Sequence, residues 1–382
     1  MITSRRSFFR FGLAAATATA VERPLTAFSG SLQLEPSRFP PDRRFTRLNT
    51  NENAYGPSAK VVEAVQSAIG NSNRYPRMQY GSLVESIANP NHVKPDQVLL
   101  GCGSAEVFRM AAAAFLGRGK KLIQALPTYE AMEHYARAAS AEVLSVALTR
   151  KFAHDLDAML ARSSATTTLI YICNPNNPTA SLTPRKDLEA FIHALPPTTF
   201  VLIDEAYHHY AGSTGMYTSF VDQPLDDERV IVTRTFSKVY GLAGLRLGYA
   251  VAAPKTIRKM QRFATEDNVN AIVVQAAAAA LEDTDGVKSS VRRNADARQE
   301  FFNQAQARGL KPIDSHANFM MMNTLHPAND VIEHFRKNDV LIGPSFSSMD
   351  TYIRVSLGRE EEMLTFWRAW DSLPYPKGHM HH

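Results

Sequence analysis

Between residues 96 and 255, short apolar runs alternate with helix-length segments: VLLG from 98, KLIQA from 121, EVLSVAL from 142, TLIYIC from 168, FVLID from 200, VIVTRT from 230 and LGYAVA from 247. Most of these runs are apolar on both faces of an extended chain, as strands covered on both sides by crossover helices must be. The pattern predicts an α/β fold around a mainly parallel sheet. Ligands of such sheets collect at the carboxyl ends of the strands.

Beyond residue 270 the texture changes. AIVVQAAAAALED and VRRNADARQEFFNQAQARGL read as helices, and NFMMMN and TYIRVSL as strands of a smaller α+β unit. PSAKVVEAVQSAIG, from 57, is a further helix opened by proline and closed by glycine. The expected organisation is a leader over 1–20, an N-terminal arm and part of the small domain over 21–70, a large domain over 71–265 and a C-terminal small domain over 266–375. A chain of 382 residues, 45% hydrophobic and 21% charged, can bury a core of that size, and its composition gives no indication of disorder.

The leader rests on SRRSFFR at 4–10, followed by the mild run FGLAAATATA and a small-residue site at Ala18-Thr19-Ala20. It is too short to span a bilayer. A twin-arginine pattern of this kind directs export of a folded protein, so a periplasmic or exported location is expected, and a cytoplasmic one if the leader does not function. Arg5, Arg6 and Arg10 also account for three charges of the formal +5. What is left shows no footprint for nucleic acid or for stable membrane association. Two cysteines, Cys102 and Cys173, cannot form a disulfide framework; each ends a strand-like run and reads as a core thiol. The tail GHMHH reads as a solvated end, and no metal site is expected.

The residues able to carry chemistry cluster at predicted strand ends. Gly101-Cys102-Gly103-Ser104-Ala105-Glu106 turns a strand into a helix whose first amides, with the Ser104 hydroxyl, suit a phosphate. Asn174-Pro175-Asn176-Asn177-Pro178-Thr179 follows TLIYIC, and Asp204-Glu205-Ala206-Tyr207 ends FVLID. A buried aspartate needs a partner, and a protonated heterocyclic nitrogen is one that keeps it ionised. Tyr207 is placed to donate to a phenolate-type oxygen. Lys238 follows VIVTRTF and Ser237; a lysine there can form a Schiff base with an aldehyde cofactor, helped by nearby cationic charge. Thr235, Ser237 and Arg246 would complete a phosphate cup. Taken singly, each motif is also ordinary architecture: a turn, a helix cap, a satisfied polar group.

Together and in this order, the stretches resemble the fold-type I pyridoxal-phosphate enzymes of the aminotransferase class I and II family, over about Asn51 to Gly358. Within it they are most similar to histidinol-phosphate aminotransferases: NENAYGP at 51, NRYP at 73, PTY at 127, CNPNNPT at 173, DEAY at 204, RTFSK at 234, GLAGLRLGYA at 241 and YIRVSLG at 352. The resemblance implies pyridoxal 5'-phosphate as cofactor, an amino donor and a 2-oxo acid acceptor as substrates, and a homodimer. It assigns Lys238 to the Schiff base and to proton transfer, Asp204 to the pyridine nitrogen, and Asn177 and Tyr207 to the ring oxygen. Tyr129 would stack on the ring. The phosphate would lie against Ser104, Ala105, Glu106, Thr235, Ser237 and Arg246, with Tyr75 reaching in from a second subunit. Arg354 would clamp the substrate carboxylate, with Asn177 beside it and Tyr55 lining the side-chain pocket.

Three departures bear on the substrate. Histidinol-phosphate aminotransferases commonly carry an arginine for the substrate's phosphate after a V-L-V strand; here the stretch is Val340-Leu341-Ile342-Gly343-Pro344-Ser345. Each charge-assisted bond so lost costs a phosphate roughly 1.5 to 3 kcal/mol, and Arg359, at an expected helix start, is a weak substitute. Ala180 stands where glycine usually follows NPNNPT. The leader, finally, would place the enzyme away from a biosynthetic phosphate ester. These point to a free amino acid, and Tyr55, Phe346 and Met349 suit an aromatic or imidazole side chain. A decarboxylase or carbon–sulfur lyase of the same fold is the alternative reading, and a non-catalytic ligand-binding domain a more distant one.

Overall fold

The computed structural model describes residues 45–212 and 215–374, so the leader and residues 21–44 of the expected N-terminal arm lie outside the described residues. Strand β1 spans Thr46–Leu48. The large sheet is built from β2 (Val98–Gly101), β3 (Lys121–Leu126), β4 (Glu142–Ala147), β5 (Thr167–Cys173), β6 (Phe200–Asp204), β7 (Val230–Thr235) and β8 (Gly248–Ala252). Their order across the sheet is β2-β8-β7-β6-β5-β3-β4. Four neighbouring pairs, from β7 to β4, are parallel, whereas β8 runs antiparallel to both β2 and β7.

Alternation along the strands explains why both faces are buried. Ile170, Ile172, Val201, Ile203 and Val232 pack on one face against Leu83 and Ile87 of helix Arg77–Ala88 and Leu188 of helix Arg185–Ala194. Leu169, Tyr171, Leu202 and Ile231 pack on the other, against Val107 and Phe108 of helix Ser104–Phe115 and Met132 of helix Ala131–Ala138. Each fully buried side chain of this kind contributes about 1.5 to 3 kcal/mol.

The second layer follows the large sheet in sequence. The strands β9 (Lys311–Pro312), β10 (Phe319–Asn323), β11 (Val340–Ile342) and β12 (Tyr352–Ser356) make an antiparallel sheet β12-β10-β9 and a parallel pair β1-β11. Phe301, Phe335, Phe366 and Trp370 fill the core between them and helices Thr284–Ala307, Ala328–Lys337 and Glu360–Asp371. The sequence places helices Ala59–Ala68 and Ala271–Glu282 with this smaller unit. In the structure Val61 of the first, and Val273, Val274, Ala276, Ala277 and Ala280 of the second, pack instead in the large sheet's core.

One other expectation is corrected, and the glycine-like position of Ala180 is seen directly. Cys173 is buried, but Cys102 is exposed, because the turn through Gly101 and Gly103 lifts it off the sheet. Ala180 adopts φ 57°, the left-handed region that favours glycine. Among the described residues no helix is long and apolar enough to cross a membrane, and no group of three or more potential ligands is arranged for a metal ion.

One buried ion pair ties the sheet to the loop before β7. Arg234, on β7, donates to Glu205 at 3.1 Å, Ser219 at 2.6 Å, Asp222 at 3.1 Å and Asn91 at 2.9 Å. Glu205 is 1% exposed and also accepts from the Phe220 amide at 2.8 Å. Arg234→Met leaves that carboxylate buried without its cation, and a loss of about 3 to 5 kcal/mol is expected. Urea unfolding of wild type and variant at neutral pH checks it; a midpoint change worth under ~1 kcal/mol would show the pair to be dispensable.

Candidate active site

Sheet register brings the polar motifs to one edge. Cys173, Asp204 and Thr233 are successive partners at the carboxyl ends of β5, β6 and β7. Because β8 is antiparallel, its first residue, Gly248, pairs with Gly101 on one side and Thr235 on the other, so Arg246 enters at the same edge. A cavity of about 580 Å³ opens there, lined by Ser104, Ala105, Tyr129, Asn177, Asp204, Tyr207, Thr235, Ser237, Lys238, Arg246 and Arg354, with Asn49, Thr50 and Asn51 closing one side.

One end of the cavity is an anion cradle. Helix Ser104–Phe115 begins there, preceded by Gly103 at φ 75°. A Cβ on Gly103 would strike the Arg246 guanidinium, and one on Gly248 would strike the Ser104 backbone. Only glycine permits so close an approach at these two points. Arg246 donates to Ala243 O at 2.9 Å and to the Ser237 hydroxyl at 3.4 Å, and the Thr235 and Ser237 hydroxyls are bonded at 3.0 Å. A helix N-terminus, two hydroxyls and a guanidinium converge as a phosphate requires.

Asp204 stands in the middle, 2% exposed. Burial pushes its pKa up to about 6, restrained by hydrogen bonds from Tyr171, the Ala206 amide and Thr233, and by the charge of Lys238. A protonated ring nitrogen beside it would keep it ionised. Lys238 Nζ donates to Asn51 O at 2.9 Å and Thr50 O at 3.3 Å, and lies 5.5 Å over the Tyr207 ring. Burial, then the neighbouring Arg354 charge, lowers its pKa to about 8, toward a neutral and nucleophilic amine. Tyr207 accepts from Asn51 Nδ2 at 3.1 Å, and burial raises its hydroxyl's pKa, as it does that of Tyr129.

At the far end Arg354, on β12, is held by Asn177 Oδ1 at 2.7 Å and Asn49 O at 2.8 Å. Its Nε is buried beside Gly343 without a hydrogen-bond partner. Phe346 lies 5.5 Å from the guanidinium.

Several expected residues are elsewhere. Tyr55 is not in this cavity: it lies partly exposed between the guanidinium groups of Arg293, at 4.8 Å, and Arg359, at 5.8 Å. Tyr75 is 77% exposed and outside the cavity of its own chain. Glu106 is withdrawn from the cradle because its amide donates to Gly103 O at 3.2 Å; its carboxylate braces the turn through the Cys102 amide at 2.7 Å. Arg359 donates to Ala54 O at 2.9 Å and does not line the cavity. Met349 is buried away from it. Sequence reasoning missed Tyr171, which supports Asp204, and the carbonyls of Asn49, Thr50 and Asn51, which orient both cations.

Comparison with known proteins settles the lineage of this site. A sequence model described as aminotransferase class I and II matches residues 43–369. The chain belongs to this family. It is 35% identical over 325 residues to a histidinol-phosphate aminotransferase of Moorella thermoacetica, covering 85% of this chain and 84% of that one. It is also 35% identical over 340 residues to histidinol-phosphate aminotransferase 2 of Methylococcus capsulatus, covering 87% and 91%. The structure of histidinol-phosphate aminotransferase from Sinorhizobium meliloti, in complex with pyridoxal 5'-phosphate, superposes with a TM-score of 0.80 at 27% identity, covering 86% of this chain and 89% of that one. The protein is a pyridoxal-phosphate-dependent aminotransferase of fold type I, in the histidinol-phosphate aminotransferase-like group. The aminotransferase's own residues fit that cofactor: a helix N-terminus with two hydroxyls and a guanidinium, a buried carboxylate, and an amine of lowered basicity stand around one cavity.

Proposed function

We propose that this aminotransferase takes its amino group from a free L-amino acid with an aromatic or imidazole side chain and passes it to a 2-oxo acid. The observation that carries the reading is Gly343. It lines the cavity immediately after β11, where the relatives' phosphate-binding arginine is expected, and a Cβ there would lie 2.9 Å from Arg354 O and 3.0 Å from Arg354 Nε. The position therefore disfavours any side chain as well as lacking a cation, which supports a substrate without a phosphate. Tyr129, in the cavity lining, supports a flat side chain, whereas Phe346, 5.5 Å from the Arg354 guanidinium, lines a neighbouring cleft and not this cavity.

In this reading Ser104, Ala105, Thr235, Ser237 and Arg246 hold the cofactor phosphate, with Tyr129 against the ring. Asn177 and Tyr207 donate to the ring oxygen, and Asp204 faces the ring nitrogen. Arg354 binds the substrate carboxylate and so presents the Cα–H bond to Lys238, whose amine takes the proton from Cα and returns it on the cofactor side. Bound there, pyridoxal phosphate supplies the electron sink for the pair left when that bond breaks.

The test is the absorbance of the purified holoenzyme on addition of L-histidine, L-phenylalanine or histidinol phosphate, with analysis of the keto product. Bleaching of the visible cofactor band by a free amino acid, with release of its 2-oxo acid, is expected. Bleaching by histidinol phosphate alone would overturn the substrate assignment, and carbon dioxide or sulfide release would turn the reading toward a decarboxylase or lyase.

The lowered pKa of Lys238 gives a pH dependence. The amine must be neutral to capture the aldehyde, so capture of pyridoxal phosphate by apoprotein is expected to quicken as pH rises and to level off above about 8. Stopped-flow absorbance reads this; a midpoint near 10 would mean the amine is not perturbed. We further propose a homodimer in which Tyr75, exposed on its own chain, completes the partner's cradle, and export through SRRSFFR. Native mass spectrometry of the secreted protein would test both, a monomer or an intact leader counting against them.

A further inference from the structure

Tyr171 lies on β5 two residues before its end, fully buried and behind the wall of the cavity. Its hydroxyl donates to Asp204 Oδ2 at 2.9 Å. The Cys173 thiol stands 3.9 Å from the same oxygen, while Oδ1 accepts from the Ala206 amide at 3.1 Å and from Thr233 at 3.3 Å. Phe108 meets the Tyr171 ring edge-on at 5.7 Å and holds it in place. The shortest of these bonds is thus the one from Tyr171.

We infer that Tyr171 is a positioning residue that keeps the acid proton on the cofactor's ring nitrogen by donating its own hydroxyl to Asp204. The inference rests on the assignment of Asp204 to that nitrogen. Two bases, a carboxylate and a pyridine nitrogen, compete for one proton there. A hydrogen bond to the carboxylate stabilises its charged form and so leaves the proton on the ring. Burial and the neighbouring Asp204 charge raise the pKa of Tyr171 well above its ordinary value, so it remains a donor at every pH at which the protein works. Without the hydroxyl the buried carboxylate takes the proton, the ring becomes a weaker electron sink, and breaking of the Cα–H bond slows. Substrate binding, which depends on Arg354, is left alone.

Tyr171→Phe keeps the ring and its contact with Phe108. The experiment reconstitutes wild type and variant with pyridoxal phosphate carrying ¹⁵N in the ring and records the nitrogen chemical shift beside steady-state rates. The expected result is a protonated-type signal in wild type that moves toward the unprotonated position in Tyr171→Phe, with kcat lowered roughly ten- to hundredfold, as for one bond to a charged group, and KM changed less than about twofold. Thr233→Val, which removes a longer bond to the other oxygen, is expected to move both readouts in the same direction by less. An unmoved nitrogen signal overturns the inference whether kcat falls or not, since a loss of rate alone would be a packing effect. A wild-type nitrogen already unprotonated would remove the Asp204 assignment, and the inference with it; binding of the labelled cofactor in both proteins shows that the site itself is intact.

Discussion

Lys238→Ala is expected to leave a folded protein that transaminates at least ~10⁴-fold more slowly than wild type, the upper range for losing one acid–base group. The amine is held over the cavity by Asn51 O and Thr50 O, and among the lining residues it is the one amine present. Arg246 and Arg354 present guanidinium groups, which are no substitute for an amine in Schiff-base chemistry. The cradle does not depend on Lys238, so the variant should still retain pyridoxal phosphate through its phosphate end, more weakly and without the wild-type visible band. Single-turnover rates with an amino-acid donor, read beside cofactor retention on gel filtration, separate the two effects. A variant with wild-type rate would remove Lys238 from the chemistry, and with it the proposed arrangement.

Arg354→Gln should produce the second largest effect, and a different kind. Removing a guanidinium from a carboxylate loses two charge-assisted bonds, about 3 to 6 kcal/mol, so kcat/KM for the amino-acid donor should fall roughly 10²- to 10⁴-fold, mostly through KM. Donor and 2-oxo acid carry the same carboxylate, so both half-reactions should suffer alike. Histidinol phosphate has no α-carboxylate. If its rate fell as far as that of L-histidine, Arg354 would not be a carboxylate clamp and would be serving the fold, through its bonds to Asn177 and Asn49. Wild-type kinetics for the amino acid would likewise exclude it.

The large sheet was legible because its strands are apolar on both faces and spaced by helix-length gaps, and Asp204 and Lys238 because a charged residue at the end of such a strand needs a reason. Strand direction was not legible. GYAVA is as apolar as its parallel neighbours, so nothing in it announces that β8 runs backward. Tyr171 was hidden for the same reason: within TTLIYIC it reads as one more core residue, and its hydroxyl matters only once β6 brings Asp204 alongside. Asn49, Thr50 and Asn51 act through main-chain carbonyls, which no side-chain pattern encodes. The helix Ala271–Glu282 was misplaced because chain order suggested its domain, whereas contact with Val61 and the sheet core decides it. Tyr55 and Tyr75 were placed by resemblance alone, Tyr75 as a residue of a second subunit, and both stand outside the cavity of their own chain.

The position of β2 has a consequence for how the protein matures. This strand lies at the sheet edge, bonded to β8 alone, yet it is the strand that leads into the helix forming one wall of the phosphate cradle. Its partner is made far later along the chain, so the cradle closes only when distant parts of the polypeptide have met, a slow kind of pairing. Cofactor capture therefore depends on the pairing of β2 with β8, and it adds stability that grows with the logarithm of cofactor concentration over its dissociation constant. Under the proposed export through SRRSFFR, which carries folded proteins, cofactor uptake would come before departure.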